Sequence, residues 1–75
     1  MTANRYTLWI DDKVRLENAT SCEVRKVMRR FDCTETDGKN LIRKANPQLQ
    51  THGKIVAANH VFEVLVKRQE QERNG

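Results

Sequence analysis

Alternating apolar and polar residues near the start of the chain predict a β-hairpin. The apolar members of the alternation are Tyr6, Leu8, Ile10, Val14 and Leu16. Period-two alternation is typical of a half-buried strand, and aromatic and β-branched residues favour strands. The polar residues 11–13 interrupt the pattern and suit a tight turn. We therefore expect two antiparallel strands within residues 6–17.

A helix is predicted after this hairpin. Thr20 and Glu23 have the spacing of a capping box, in which each side chain satisfies a free backbone amide of the other residue. Apolar residues follow at helical spacing, namely Val24, Val27, Met28 and Phe31. The basic residues Arg25, Lys26, Arg29 and Arg30 fall outside that stripe. We expect the stripe to face a core and the basic residues to face solvent.

The middle of the chain allows two interpretations. Residues 39–44 form either a short strand around Leu41 and Ile42 or a helix that continues through Ala45. Such a helix would end near Pro47, because the residue before a proline avoids the helical region. We favour the strand.

The last structured segment is predicted to be a strand. Residues 60–67 are dense in β-branched residues and end in charge, and Ile55 and Val56 precede them as a short extended piece. Residues 69–75 are almost wholly polar and are predicted to fray. This gives one domain over residues 1–68 with a polar tail at 69–75.

Composition narrows the class of protein. The 75 residues suffice for one small core, and no apolar run approaches the ~18 residues of a membrane-spanning helix. The opening residues lack the apolar segment of a secretory signal, so we expect a cytoplasmic location. Fourteen basic against ten acidic residues give a formal charge of +4, which favours an acidic partner.

No catalytic or cofactor motif stands out. Cys22, Cys33, His52 and His60 lie too far apart in sequence for the usual zinc-ligand pairs, and two cysteines are too few for a disulfide scaffold. Asp11-Asp12 suits a turn better than a catalytic carboxylate pair. We expect neither enzymatic activity nor a cofactor.

The order of predicted elements resembles the ubiquitin-like β-grasp. Leu41-Ile42, Gln48-Leu49 and Ile55 look like the third-strand region of ubiquitin, and residues 62–68 look like its last strand. The resemblance implies an α+β fold in which a mixed sheet packs on one main helix.

The front half is similar to the Ras-association and Ras-binding branch of that superfold, on residues 8–11 and 20–24. In this branch the second strand forms an intermolecular sheet with a small GTPase, and basic residues meet acidic residues of its switch region. The residues that the resemblance implies for this contact are Lys13 and Arg15 on the strand and Arg25, Lys26, Arg29 and Arg30 on the helix. A Ras-type small GTPase is therefore the candidate acidic protein partner.

Apolar residues complete the predicted binding surface. If Leu8, Ile10, Val14 and Leu16 face the helix, then pleating places Trp9 with Lys13 and Arg15 on the other face of the sheet. Ile42 and Leu65 are expected to join Trp9 in the middle of that face. An exposed Trp beside Arg is typical of an interaction hot spot.

Two other interpretations remain open. In a helix-turn-helix of the excisionase kind, residues 7–12 would begin the first helix, residues 18–20 the turn, and the basic helix would contact DNA. Nucleic acid is then the alternative partner. A lysin-motif fold is the third possibility, because Ala45-Asn46-Pro47 resembles that family.

Overall fold

A computed structural model describes residues 2–45, 48–49 and 51–70, which form two β-hairpins separated by two helices. The elements are β1 (Thr2–Ile10), β2 (Lys13–Ala19), α1 (Ser21–Arg30), α2 (Glu35–Lys44), β3 (His52–Ala57) and β4 (His60–Glu70). The α+β class is confirmed. Neither helix has the length and hydrophobicity needed to cross a bilayer within the part of the chain described.

The sheet is antiparallel throughout, with strand order β2-β1-β4-β3. Its centre is the pairing of β1 with β4, which runs over nine positions from Thr2 opposite Glu70 to Ile10 opposite Phe62. We expected a mixed sheet packed on one main helix, and this prediction is wrong. The second helix reverses the direction of the chain once more, so β4 runs antiparallel to β1. The β-grasp is not confirmed.

α2 forms where we favoured a strand. Thr34 caps it: its hydroxyl accepts from the Asp37 N–H at 3.1 Å, and the Asp37 carboxylate accepts from the Thr34 N–H at 3.0 Å. Leu41 and Ala45 are fully buried on the helix and its C-cap, at a spacing that suits a helix. The helical alternative for residues 39–44 is therefore confirmed. Asn46 and Pro47, on which the lysin-motif interpretation depended, lie outside the described residues.

The predicted hairpin at residues 6–17 is confirmed. Its turn is Asp11-Asp12, and both residues have positive φ (52° and 69°), as a type I′ turn requires. Residues 7–12 are thus strand and turn, so the first helix of the helix-turn-helix interpretation is wrong. The second hairpin turns at Ala58-Asn59 with the same signs of φ.

The core lies between the helices and one face of the sheet. Its largest fully buried side chains are Phe62, Leu8, Ile10, Met28, Leu41, Val24, Val64 and Val66. Val14, which we expected to face the helix, is 50% exposed because the β1–β2 pairing shifts register twice and sets Val14 opposite Trp9. β4 continues to Glu70, so residues 69 and 70 belong to the sheet.

Gly53 on β3 lies directly beneath the end of α2. A Cβ built there would stand 2.8 Å from both the Ala45 nitrogen and the Leu41 oxygen, which are backbone atoms that cannot move aside alone. A Cβ at Gly38 would meet the flexible Arg25 side chain instead, at 2.9 Å. The two glycines are therefore a matched pair for testing the packing of α2.

We expect Gly53→Ala to lower the free energy of unfolding by about 2 kcal/mol through overpacking. Gly38→Ala should stay within about 1 kcal/mol of wild type, since alanine favours the helix by roughly that amount while Arg25 shifts. Urea unfolding followed by circular dichroism measures both. Equal losses in the two variants would show that α2 does not press on β3 as described.

Candidate partner-binding surface

The basic residues predicted on α1 lie on its outer side. Lys26, Arg29 and Arg30 are exposed, whereas Val24 and Met28 are buried on the opposite side. Arg25 is half-buried, because its aliphatic part packs beside Gly38 of α2. The helix therefore presents cations to solvent and lays one of them across the neighbouring helix.

α2 adds basic residues that belong to no site predicted from the sequence. Lys39, Arg43 and Lys44 are exposed on it. They were missed because residues 39–44 were interpreted as a strand. The spacing of Thr34 and Asp37 matches a helix-capping pattern and could have revealed the helix. Together, α1 and α2 carry seven basic and three acidic residues, and we call their solvent side the basic layer.

Acidic side chains near the basic layer bind backbone amides. Glu23 accepts from the Thr20 N–H at 2.9 Å, and that hydrogen bond is the main reason its carboxyl pKa lies below its ordinary value. Asp37 plays the same part for Thr34 at the start of α2. Two of the three helical acids are thus occupied at helix N-termini, which the helix dipole also favours.

The cations of the basic layer form no salt bridge within 4 Å among the described side chains, although Lys26 lies near enough to Glu23 to interact with its carboxylate. Within that part of the chain the two carboxylate pairs are His52 with Glu63 at 3.9 Å and His60 with Asp11 at 2.6 Å. Neither pair includes Lys or Arg. The helical cations are therefore not held in close salt bridges within the described residues, and they outnumber the helical acids by seven to three.

Arg15 lies on the helix side of the sheet, contrary to the expected face. Its guanidinium carbon is 5.4 Å from the centre of the Phe31 ring, at the end of α1. Lys13 is exposed and pairs with the inward-facing Ile10, so it also belongs to the helix side. The expectation that these two residues share a face with Trp9 is wrong, because the register shifts in β1–β2 change the alternation.

The apolar residues of the predicted site fall on two surfaces. Trp9 and Leu65 are half-buried on the sheet face away from the helices, where the Trp9 ring lies 6.0 Å from the ring of His52. Ile42 instead packs on α2 against the core. Its expected place beside Trp9 is wrong because its segment is helical. The nine predicted residues therefore do not form one continuous site.

The pair of Asp11 and His60 resembles a catalytic dyad but joins the two hairpin turns. The other Asp11 oxygen accepts from the Val61 N–H at 2.9 Å, and the Asp11 N–H donates to the Val61 carbonyl at 2.9 Å. The backbone hydrogen bond from Val61, followed by the bond from His60, holds the Asp11 pKa below its ordinary value. This carboxylate is fully engaged in holding the turns together.

Potential metal ligands do not cluster in the described residues, and both cysteines are unbridged. No group of three His, Cys, Asp or Glu side chains comes close enough there to hold a metal ion. Cys22 and Cys33 are free thiols, and burial raises the pKa of Cys33.

Comparison with known proteins gives no further guide. No protein-family model, curated protein or solved structure matches the chain. The functional conclusion therefore depends on the geometry and the charge distribution described above.

Stability at acid pH tests the link between the turns. Because the Asp11 pKa is lower in the folded chain, ionised Asp11 stabilises the fold above about pH 4, and this contribution is lost as pH falls through the folded-state pKa. Asp11→Asn tolerates positive φ but does not titrate. We expect its unfolding free energy to fall less between pH 5 and pH 2 than that of wild type. Parallel pH profiles in urea-unfolding experiments would contradict this role.

Proposed function

We propose that this chain is a non-catalytic module that binds an acidic protein partner through its basic layer. The observation that supports this most directly is that the seven helical Lys and Arg residues form no salt bridge within 4 Å with a described carboxylate. A partner that supplied carboxylates would pair with them without breaking a salt bridge of the described fold. Such complementarity mainly raises the association rate and fixes the orientation of the complex.

The distribution of charge favours binding over a merely solvated helix pair. Half of the chain's fourteen basic residues lie on two ten-residue helices. Exposed helices often intersperse acids and bases at i, i+4 spacing for mutual support. On α1, Arg25 with Arg29 and Lys26 with Arg30 are like-charged pairs at that spacing, whereas α2 has one opposite pair, Glu35 with Lys39. The like-charged pairs cost stability in the isolated chain, and a partner offsets that cost.

A Ras-type small GTPase is the acidic partner to test first. β2 is an edge strand whose pairing within the described residues is with β1, so its outer amides can accept a partner strand. Lys13 and Arg15 lie on β2, and the basic residues of α1 follow it in the chain. This arrangement suits strand addition with basic contacts to an acidic switch region.

The decisive variants reverse charge on opposite sides of the molecule. Lys26→Glu with Arg29→Glu changes the outer side of α1, where both residues are exposed. Lys54→Glu with Lys67→Glu makes the same charge change on exposed residues that alternate with the buried Gly53 and Val66, and so face away from the helices. Because total charge changes equally, only the location differs.

We expect the α1 double variant to bind a purified acidic partner about tenfold or more weakly than wild type, and a GTP-analogue-loaded Ras-type GTPase is the first partner to test. The sheet-face double variant should lose less than about threefold in affinity. Other partners captured from lysate enter the same assay once purified. Equal weakening by both variants would reduce the effect to net charge and reject the basic layer. Tighter binding to duplex DNA than to any captured protein, with a steep salt dependence, would also contradict the proposal.

A further inference from the structure

A groove between the start of α1 and the end of α2 combines cations with an apolar floor. It encloses about 460 Å³ and is lined by Tyr6, Ser21, Arg25, Lys39, Ile42, Arg43 and Ala45. Ile42 is half-buried and supplies the accessible apolar surface of the floor, above the buried Tyr6 and Ala45. The charged residues in the lining are all basic, and they come from both helices.

A second groove on the molecule has a different set of charged residues in its lining. That groove, of about 1010 Å³, lies between α2, β3 and the hairpin turns. Its lining contains three aspartates, Asp11, Asp12 and Asp37, and the α2 cations Arg43 and Lys44. Lys54 of β3 also lines it, and its backbone carbonyl accepts from Lys44 Nζ at 3.5 Å. Acids and bases are both present there, whereas the lining of the helix groove contains no acid. The helix groove therefore selects for an anionic ligand.

The position of Arg25 is built into the packing of the helices. Its aliphatic part crosses Gly38, where a Cβ would come within 2.9 Å of the Arg25 Cγ. The absence of a side chain at Gly38 leaves room for the Arg25 aliphatic chain beside the groove. Lys39 and Arg43, one turn apart on α2, face it from the other side. Positive charge thus surrounds the floor from both helices.

The apolar floor distinguishes among anionic ligands. A free phosphate would use the cations and leave the exposed part of Ile42 without a contact. A nucleic-acid base needs an exposed aromatic face to stack on, and the aromatic residue of the groove, Tyr6, is only 4% exposed. An aliphatic side chain flanked by carboxylates uses both the floor and the rim.

We propose that this groove binds an acidic peptide segment, with one aliphatic side chain on the exposed part of Ile42 and adjacent carboxylates on Arg25, Lys39 and Arg43. The inference rests on the proposed function and narrows it. The segment would belong to the acidic partner that the basic layer attracts. Charge on the layer then brings the partner close, and the groove selects the sequence that docks.

Two synthetic peptides test the groove on the full chain labelled with ¹⁵N. They are blocked Asp-Glu-Leu-Glu-Asp and blocked Asp-Glu-Ser-Glu-Asp, which have equal charge and differ in the aliphatic side chain. We expect the leucine peptide to bind at least about fivefold more tightly, because leucine leaves water for the apolar floor. It should also shift the amide resonances of Ser21, Ile42 and Arg43 more than those of Lys54 and Lys67.

Variants then separate the floor from the rim. Ile42→Ser should reduce the preference for the leucine peptide to within about twofold, since it removes apolar floor and leaves the charges unchanged. The double variant Lys39→Glu with Arg43→Glu changes two exposed residues and should lower the affinity for each peptide by about tenfold or more. Because Ile42 also packs on the core, the resonance map on wild type gives an independent readout should the serine variant unfold.

Three results would overturn the groove. Equal affinity for the two peptides would leave the basic layer intact but remove the aliphatic site. Inorganic phosphate or single-stranded DNA that shifts the same amides at lower concentration, at matched ionic strength, would replace the peptide as occupant. A resonance map confined to the sheet face would place the site elsewhere. Failure of the proposed function would look different: Lys26→Glu with Arg29→Glu would then leave the affinity for the acidic partner unchanged.

Discussion

The pairing of β1 with β4 is the constraint on which the rest of the structure depends. It joins the two ends of the described chain over nine positions and aligns Leu8 with Val64 and Ile10 with Phe62, all four fully buried. With these strands at the centre, their hairpin partners β2 and β3 are forced to opposite edges. The chain between the edges must then cross one face of the sheet, and it does so as α1 and α2.

That crossing determines where charge accumulates. The helices cover the apolar face with a narrow stripe each, so most of their remaining positions face solvent. Glu23 and Asp37 lie at the first turns because the backbone amides there need acceptors. Asp11 is held in the same way between the two hairpin turns. These acids thus accept from backbone amides, and the basic side chains beyond the first turns form no salt bridge within 4 Å among the described residues.

Much of the fold follows from local signals in the sequence. Alternation at Tyr6, Leu8 and Ile10 and the capping pair at Thr20 and Glu23 were sufficient for the first hairpin and α1. Leu41 and Ile42 were ambiguous, because a short apolar run suits a strand or a helix. The capping pair at Thr34 and Asp37 resolves that ambiguity in favour of a helix. The reversal of β4 relative to β1 follows from this one helix.

Less of the candidate site could be predicted from the sequence. The cations of α1 were found because helical spacing separates them from the apolar stripe. Arg15 and Val14 were misplaced, since the register shifts between β1 and β2 depend on pairing across the sheet and leave no mark in the alternation. The groove at Ile42 needed the contact of Arg25 with Gly38, which joins two segments and cannot be inferred from either one.

The most direct test of the central claim is the effect of salt on stability without any partner. If the helical cations are unpaired and repel one another, screening relieves the repulsion. The urea-unfolding free energy of the chain should then rise when NaCl increases from 20 mM to 500 mM, because this change shortens the Debye length severalfold. A fall in stability over that range would mean that the cations take part in attractive ion pairs, and it would contradict the basic layer as described.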